Sequence, residues 1–193
     1  MVLHHNKLQV DYEGSTLYFL EDEKESVWQS LQFHFHAPSE HTFNGVEYAA
    51  EMHLVFKGRT YPNELAVIGI LFEVDPRAKP NKFLESLKLD TLKAPEGEVE
   101  GINTSFKDLY KGLRNHYKYN YVGSLTTPPC TENVQWFVFA ETVKIPQKQA
   151  DILASFFDID HDLKTHEGNN RNTVEVGSRN VRMIKDAYDD NLD

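Results

Sequence analysis

From Lys7 to about Val143 the chain is patterned mostly in short alternating or continuously apolar runs, the mark of strands. The pattern predicts strands at Ser15–Leu20, Ser30–His36, Tyr48–Phe56, Leu65–Val74 and Val134–Phe139. Leu65–Val74 reads LAVIGILFEV, almost wholly apolar, as expected of a strand buried on both faces. Helical periodicity is confined to Pro80–Leu87, Asn103–Leu113 and Pro146–Phe157, the last with Pro146 near its first turn. Beyond Thr165 the sequence turns polar and irregular and is expected to wrap the surface. No repeat, low-complexity tract or Gly/Ser-rich linker divides the chain, so residues 1–193 read as one mainly-β (α+β) domain with a few short peripheral helices.

Composition sharpens this picture by exclusion. The chain has 193 residues, 40% apolar and 26% charged, enough to bury a core and too apolar for a disordered segment. A net charge of −10 argues against nucleic acid or an anionic membrane surface as the main partner. No stretch approaches the roughly 20 apolar residues of a membrane span. The opening MVLHHNKLQVDY lacks the basic and apolar regions of a signal peptide. The single cysteine, Cys130, excludes an internal disulfide and a thiolate-rich zinc site.

Chemistry first shows in the histidines, because His34, His36, His41 and His53 crowd one short stretch. Strand alternation puts Gln32, His34 and His36 on one face, with Leu31, Phe33 and Phe35 on the other. The same rule groups Glu51, His53 and Val55. Asn44-Gly45 between the two runs is a strong hairpin signal, pairing Phe43 with Val46. Continued along both strands, that register sets His36 opposite His53, with His34 two residues along; Pro38 interrupts the ladder and offers a place for a bulge to shift it. Three converging neutral imidazoles are the pattern of a catalytic zinc with one open position. Gln32 and Glu51 are the neighbours able to fix the ring tautomers. An isolated His-x-His is ordinarily just exposed; the opposed third histidine is what favours a metal. His4, His5, His116, His161 and His166 show no such pattern and read as surface residues.

QFHFHAPSEHTFNGVEYAAEMHLVF and YVGSLTTPPCTENVQWFVF strongly resemble the two signature regions of α-class carbonic anhydrases, and the likeness runs from about residue 8 to 185. The resemblance implies a large, twisted, mostly antiparallel central sheet and a zinc enzyme that hydrates CO2 reversibly to bicarbonate by attack of zinc-bound hydroxide. It implies His34, His36 and His53 as zinc ligands, with Gln32, Glu51 and the Asn169 carbonyl holding those rings. Thr126 and Glu40 match the pair that orients the hydroxide. Val55, Val67, Leu125 and Trp136 match the apolar wall where CO2 rests, Thr127 lines the same pocket, and His41 and Tyr121 fall at buried polar-network positions.

Three features depart from the family. The segment that usually precedes the region matched by Met1–Val10 is absent from this sequence, which leaves a second copy of the chain or another protein as candidates to complete the fold. The family's proton-relay histidine falls on Asn6 or Lys7, neither of which titrates near neutral pH, with His4 and His5 as nearby substitutes. Cys130 sits where secreted members place half a disulfide. Either it is a small buried hydrophobe, or its partner lies outside this chain and the protein is secreted or extracytoplasmic. The alternative to an enzyme is a carbonic-anhydrase-like binding or structural module; such relatives typically lose a zinc ligand, whereas this chain keeps all three histidines together with Thr126 and Glu40.

Overall fold

The structure, a computed structural model, describes residues 2–4, 7–92, 97–98, 105–113, 116–157 and 168–186. Its strands are β1 (Val2–His4), β2 (Lys7–Asp11), β3 (Thr16–Glu21), β4 (Lys24–His36), β5 (Ala50–Gly58), β6 (Leu65–Val74), β7 (Gly97–Glu98), β8 (Tyr117–Ser124), β9 (Glu132–Phe139), β10 (Val143–Ile145) and β11 (Arg182–Lys185). All join one sheet in the order β11-β8-β9-β6-β5-β4-β2-β1-β7, with β10 also on β6 and β3 also on β4. Pairing is antiparallel except where β9 and β10 run parallel to β6. The expected mainly-β architecture is present, and β6 coincides with the predicted apolar run.

Helices are short and peripheral: α1 (Lys82–Ser86), α2 (Lys107–Tyr110) and α3 (Gln147–Ser155). Asn81 caps α1 by accepting from the Phe83 and Leu84 amides. Gln149 of α3 bonds both backbone groups of Asn81, tying the two helices together. Pro146 is the N-cap of α3 rather than a residue of its first turn. The predicted helix at Asn103–Leu113 shrinks to α2; residues 103 and 104 lie outside the described region. The polar tail corrects in one respect. Residues 172–181 are irregular, but Arg182–Lys185 pairs with β8 as the edge of the sheet. Among the described residues no helix is long and apolar enough to cross a membrane.

Both faces of the sheet are covered by apolar side chains. Phe33, Phe35, Met52, Leu54, Ile70 and Phe72 join the helices in the main cluster. Val55, Val67, Leu71, Val134, Trp136 and Val138 form a second cluster on the opposite face. β4 serves both because its register slips between Ser30 and Gln32. Before the bulge Trp28 faces the main core; after it Phe33 and Phe35 do, which turns His34 and His36 to the second face.

Phe33 is fully buried among the rings of Tyr12, Phe35, Phe83 and Phe106. Phe33→Ala should therefore cost about 3–5 kcal/mol by urea unfolding. A loss under about 1 kcal/mol would contradict this account of the core.

Candidate metal centre

Successive strands lay the site out as rows of paired residues on the second face. One row runs Gln9, His34, His53, Gly69, Val138, Tyr119 across β2, β4, β5, β6, β9 and β8. The next runs Gln32, Val55, Val67, Trp136, Tyr121. His36 pairs with Glu51 in a third row. The hairpin register is thereby corrected: His34, not His36, opposes His53. The Asn44-Gly45 turn does form, both residues at positive φ and Phe43 bridged to Val46. The ladder does not run on from it, because the Glu40 and His41 amides donate to Glu51 Oε2 at 3.0 and 2.8 Å instead of to a strand. By Ser39, whose amide donates to the Tyr48 carbonyl, the pairing has already slipped by two residues. An even slip preserves the face, so the three imidazoles still converge.

His34, His36 and His53 each offer one nitrogen, all within 4.8 Å of one another. The other nitrogen of each ring is engaged. His34 Nδ1 donates to Gln32 Oε1 at 2.9 Å, His36 Nδ1 to the Asn169 carbonyl at 3.2 Å, and His53 Nε2 to Glu51 Oε1 at 2.8 Å. These bonds leave His34 Nε2, His36 Nε2 and His53 Nδ1 as the atoms that would face a metal. His36 Nε2 is buried and has no hydrogen-bond partner, as an atom meant for a metal would be. Burial, with His53 adding to it, pushes the His36 pKa down to about 4, so the ring is neutral and competent to ligate. Three imidazoles in this arrangement fit zinc.

Glu51 has no solvent exposure, and its Oε1 also takes His41 Nδ1 at 2.6 Å. Burial alone would raise its pKa, but His41 and His53 hold it well below the carboxylate range. For His41 burial pulls the other way, yet Glu51 keeps its pKa above the usual histidine value. His41 Nε2 in turn bonds Tyr121 Oη at 2.7 Å, and burial pushes that phenol up, so it stays protonated.

Two glycines and one asparagine that local patterning did not assign prove essential to this geometry. A Cβ on Gly69 would lie 2.9 Å from Glu51 Oε1, an oxygen already pinned by two imidazoles. A lone glycine inside so apolar a strand was the available signal of a close approach. Gly168, at φ +125, packs so tightly on Ala37 that a Cβ would sit 2.2 Å from its carbonyl oxygen. Asn169 beside it clamps the end of β4 through the Ala37 amide at 3.0 Å and the Phe35 carbonyl at 3.1 Å. Only its backbone role was anticipated.

Glu40 is buried, with Oε1 accepting from the Arg171 amide at 2.6 Å and lying 3.4 Å from His36 Nδ1. Its Oε2 has no hydrogen-bond partner. Thr126 sits half-buried in the loop between β8 and β9, where Leu125 donates to the Thr131 carbonyl and Cys130 to that of Thr127. The structure does not join Thr126 to Glu40 by a hydrogen bond. Val55, Val67 and Trp136 form a buried wall with Leu125 packed against it, and the Trp136 ring lies 4.9 Å from that of His53. Thr127 is exposed and Cys130 half-buried. His5, Asn6, His161 and His166 lie outside the described residues.

Residues 4–185 match the family model of eukaryotic-type carbonic anhydrase. Alpha carbonic anhydrase 7 of Arabidopsis thaliana is 34% identical over 160 residues, covering 81% of this chain but 53% of its own length. The α-carbonic anhydrase of Thermovibrio ammonificans, solved with the inhibitor sulfanilamide, superposes with a TM-score of 0.71 at 30% identity, over 93% of this chain and 73% of that one. Dioscorin, solved with ascorbate, shares the fold alone, at 24% identity and a TM-score of 0.68, over 95% of this chain and 73% of its own. The sheet, the histidine cluster and these matches agree, and the chain belongs to the eukaryotic-type, or α, carbonic anhydrase family.

Proposed function

We propose that this chain is a zinc-dependent carbonic anhydrase, a carbonate dehydratase that interconverts CO2 and water with bicarbonate and a proton. The observation that carries this reading is the convergence of His34, His36 and His53, each oriented through its second nitrogen, beside an apolar wall. Those three residues would hold zinc, which when bound acidifies a water and so supplies a nucleophile near neutral pH. The protein's own contribution is positional. Gln32, Asn169 and Glu51 fix the imidazole rings. Val55, Val67, Leu125 and Trp136, with Thr127 at the rim, offer an uncharged surface suited to CO2, which is small and apolar. Glu40 Oε2 would be the acceptor for the Thr126 hydroxyl proton. With that proton directed to Glu40, the Thr126 oxygen would be left to accept a hydrogen bond from the nucleophile and so orient it toward the substrate.

A second reading, a non-catalytic binding module, is favoured by one observation: Thr126 and Glu40 are not bonded here, and Glu40 Oε2 has no hydrogen-bond partner. Stopped-flow CO2 hydration by the zinc-loaded protein separates the two readings. Turnover above the buffer rate supports the enzyme; zinc binding without turnover supports the module.

Elemental analysis should find about one zinc per chain, with His53→Ala losing most of it. Zinc retained after all three histidines are replaced would end the ligand assignment. Thr126→Ala should keep its zinc and lose about 2–4 kcal/mol of transition-state stabilisation, as an orienting hydrogen bond to the reacting group is worth. An unchanged kcat/KM would remove Thr126 from the mechanism. Gly69→Ala should displace Glu51 and weaken zinc affinity roughly 10–100-fold, the usual cost of disturbing a ligand's orienting partner. Competition with a chelator measures it, and wild-type affinity would show that Glu51 has room to move.

A further inference from the structure

Residues 168–186 run as one strap from the metal centre to the edge of β8. The first end of the strap holds two groups of the centre. Asn169 accepts from His36 Nδ1 on its carbonyl at 3.2 Å, while its amide and side chain bond the backbone of Phe35 and Ala37. Two residues on, the Arg171 amide donates to Glu40 Oε1 at 2.6 Å. One short stretch therefore orients both a candidate ligand and the carboxylate beside it.

The far end of the strap is β11, antiparallel to β8. Arg182 Nη2 donates to Oδ1 of the fully buried Asn120 at 2.9 Å, and Nη1 pairs with Glu21 of β3. Asp186 pairs with Lys118, a buried ammonium 4.2 Å from the Phe139 ring centroid. A buried charge needs such a partner, so Lys118 draws the end of the strap onto the sheet. Between the two ends the loop is braced from within. Arg179 donates to the carbonyls of Val176 and Val174 at 3.0 Å each, and to that of Glu175. None of residues 168–186 is buried within this chain, and Ile184 packs at the margin of the main cluster, so polar bonds carry most of the hold. A segment held in this way opens as a unit, at less cost than global unfolding.

We propose that docking of this strap and occupancy of the metal centre are linked, with Lys118 and Asp186 as remote positioning residues. The inference rests on the zinc reading above. His36 joins the two events, because its Nδ1 holds the Asn169 carbonyl and its Nε2 faces the metal. Fixing either side of the ring favours the other, and the factor is the same in both directions.

Native-state hydrogen exchange and chelator competition on the full chain test the linkage, and neither needs turnover. Zinc loading should slow exchange of the β8-bonded amides of β11 at least about fivefold, measured without denaturant so that local opening is read. Asp186→Ala should speed that exchange and weaken zinc affinity, again at least about fivefold, short of the roughly 10–100-fold cost of losing an orienting partner outright. Lys118→Met, which keeps an unbranched chain against Phe139 and removes the charge, should do the same. Asp186→Glu should restore both readouts; a stability effect alone would leave the zinc affinity of the folded variants unmoved. β11 exchange indifferent to zinc, or wild-type zinc affinity in Asp186→Ala or Lys118→Met, would overturn the linkage and leave the zinc site standing. A chain that takes up no zinc would overturn the functional reading and the linkage with it.

Discussion

One carboxylate with no solvent exposure organises the centre. Glu51 accepts four hydrogen bonds, two from the backbone of Glu40 and His41 and two from the rings of His41 and His53. A buried charge is tolerable only when its lone pairs are met, and here the donors come from the Glu40–His41 segment after β4 and from His53 on β5 itself. The two amides bend the chain after β4 away from the ladder and bring Glu40 over the histidines. The two rings fix the His53 tautomer and link it to Tyr121. Gly69 supplies the space in which the carboxylate sits.

That arrangement needs a floor that does not give, and the sheet provides one by burying apolar side chains on both faces. The bulge in β4 reconciles the two demands on this strand. It lets Trp28 and Phe33, an odd number of residues apart, enter the same main core, while His34 and His36 emerge on the other side. The second cluster then continues the histidine rows sideways into Val55, Val67 and Trp136. The candidate metal site and apolar wall are thus neighbouring rows of one pleated surface, and their spacing is the fixed two-residue repeat along the strands.

What alternation governs was legible in the sequence; what distant contacts govern was not. The face shared by His34, His36 and His53 follows from period two alone and survived a register error of two residues. The error arose because a true turn at Asn44-Gly45 was extended through Ser39–His41, whose amides answer to Glu51 rather than to a facing strand. β6 could be bounded from its apolar run, while β11 could not be read from RMIK, because an exposed edge strand takes its conformation from the partner β8. Asn169 and Gly168 meet β4 across more than 130 residues, and no local pattern encodes such a meeting. Their roles came through family likeness, or, for Gly168, through the structure alone.

The charges beside the triad carry the argument one step further. His36 is neutral, and Glu40 and Glu51 place two carboxylates against the imidazoles within a largely dry interior. Carboxylates buried this close together call for donors or positive charge to offset them in the low dielectric around them. Backbone donors and His41 offset Glu51, but Glu40 keeps one oxygen with no hydrogen-bond partner, 3.8 Å from His53 Nδ1. A dication held by His34, His36 and His53 would offset the Glu40 carboxylate together with the hydroxide of the proposed reaction, so the centre it completes is close to neutral. The substrate surface next to it is apolar, and a neutral metal site beside an apolar wall favours an uncharged molecule over an ionic one. Under the proposed function, selection for CO2 and retention of the metal would rest on the same pair of glutamates, one satisfied by the fold and the other with an oxygen available to Thr126.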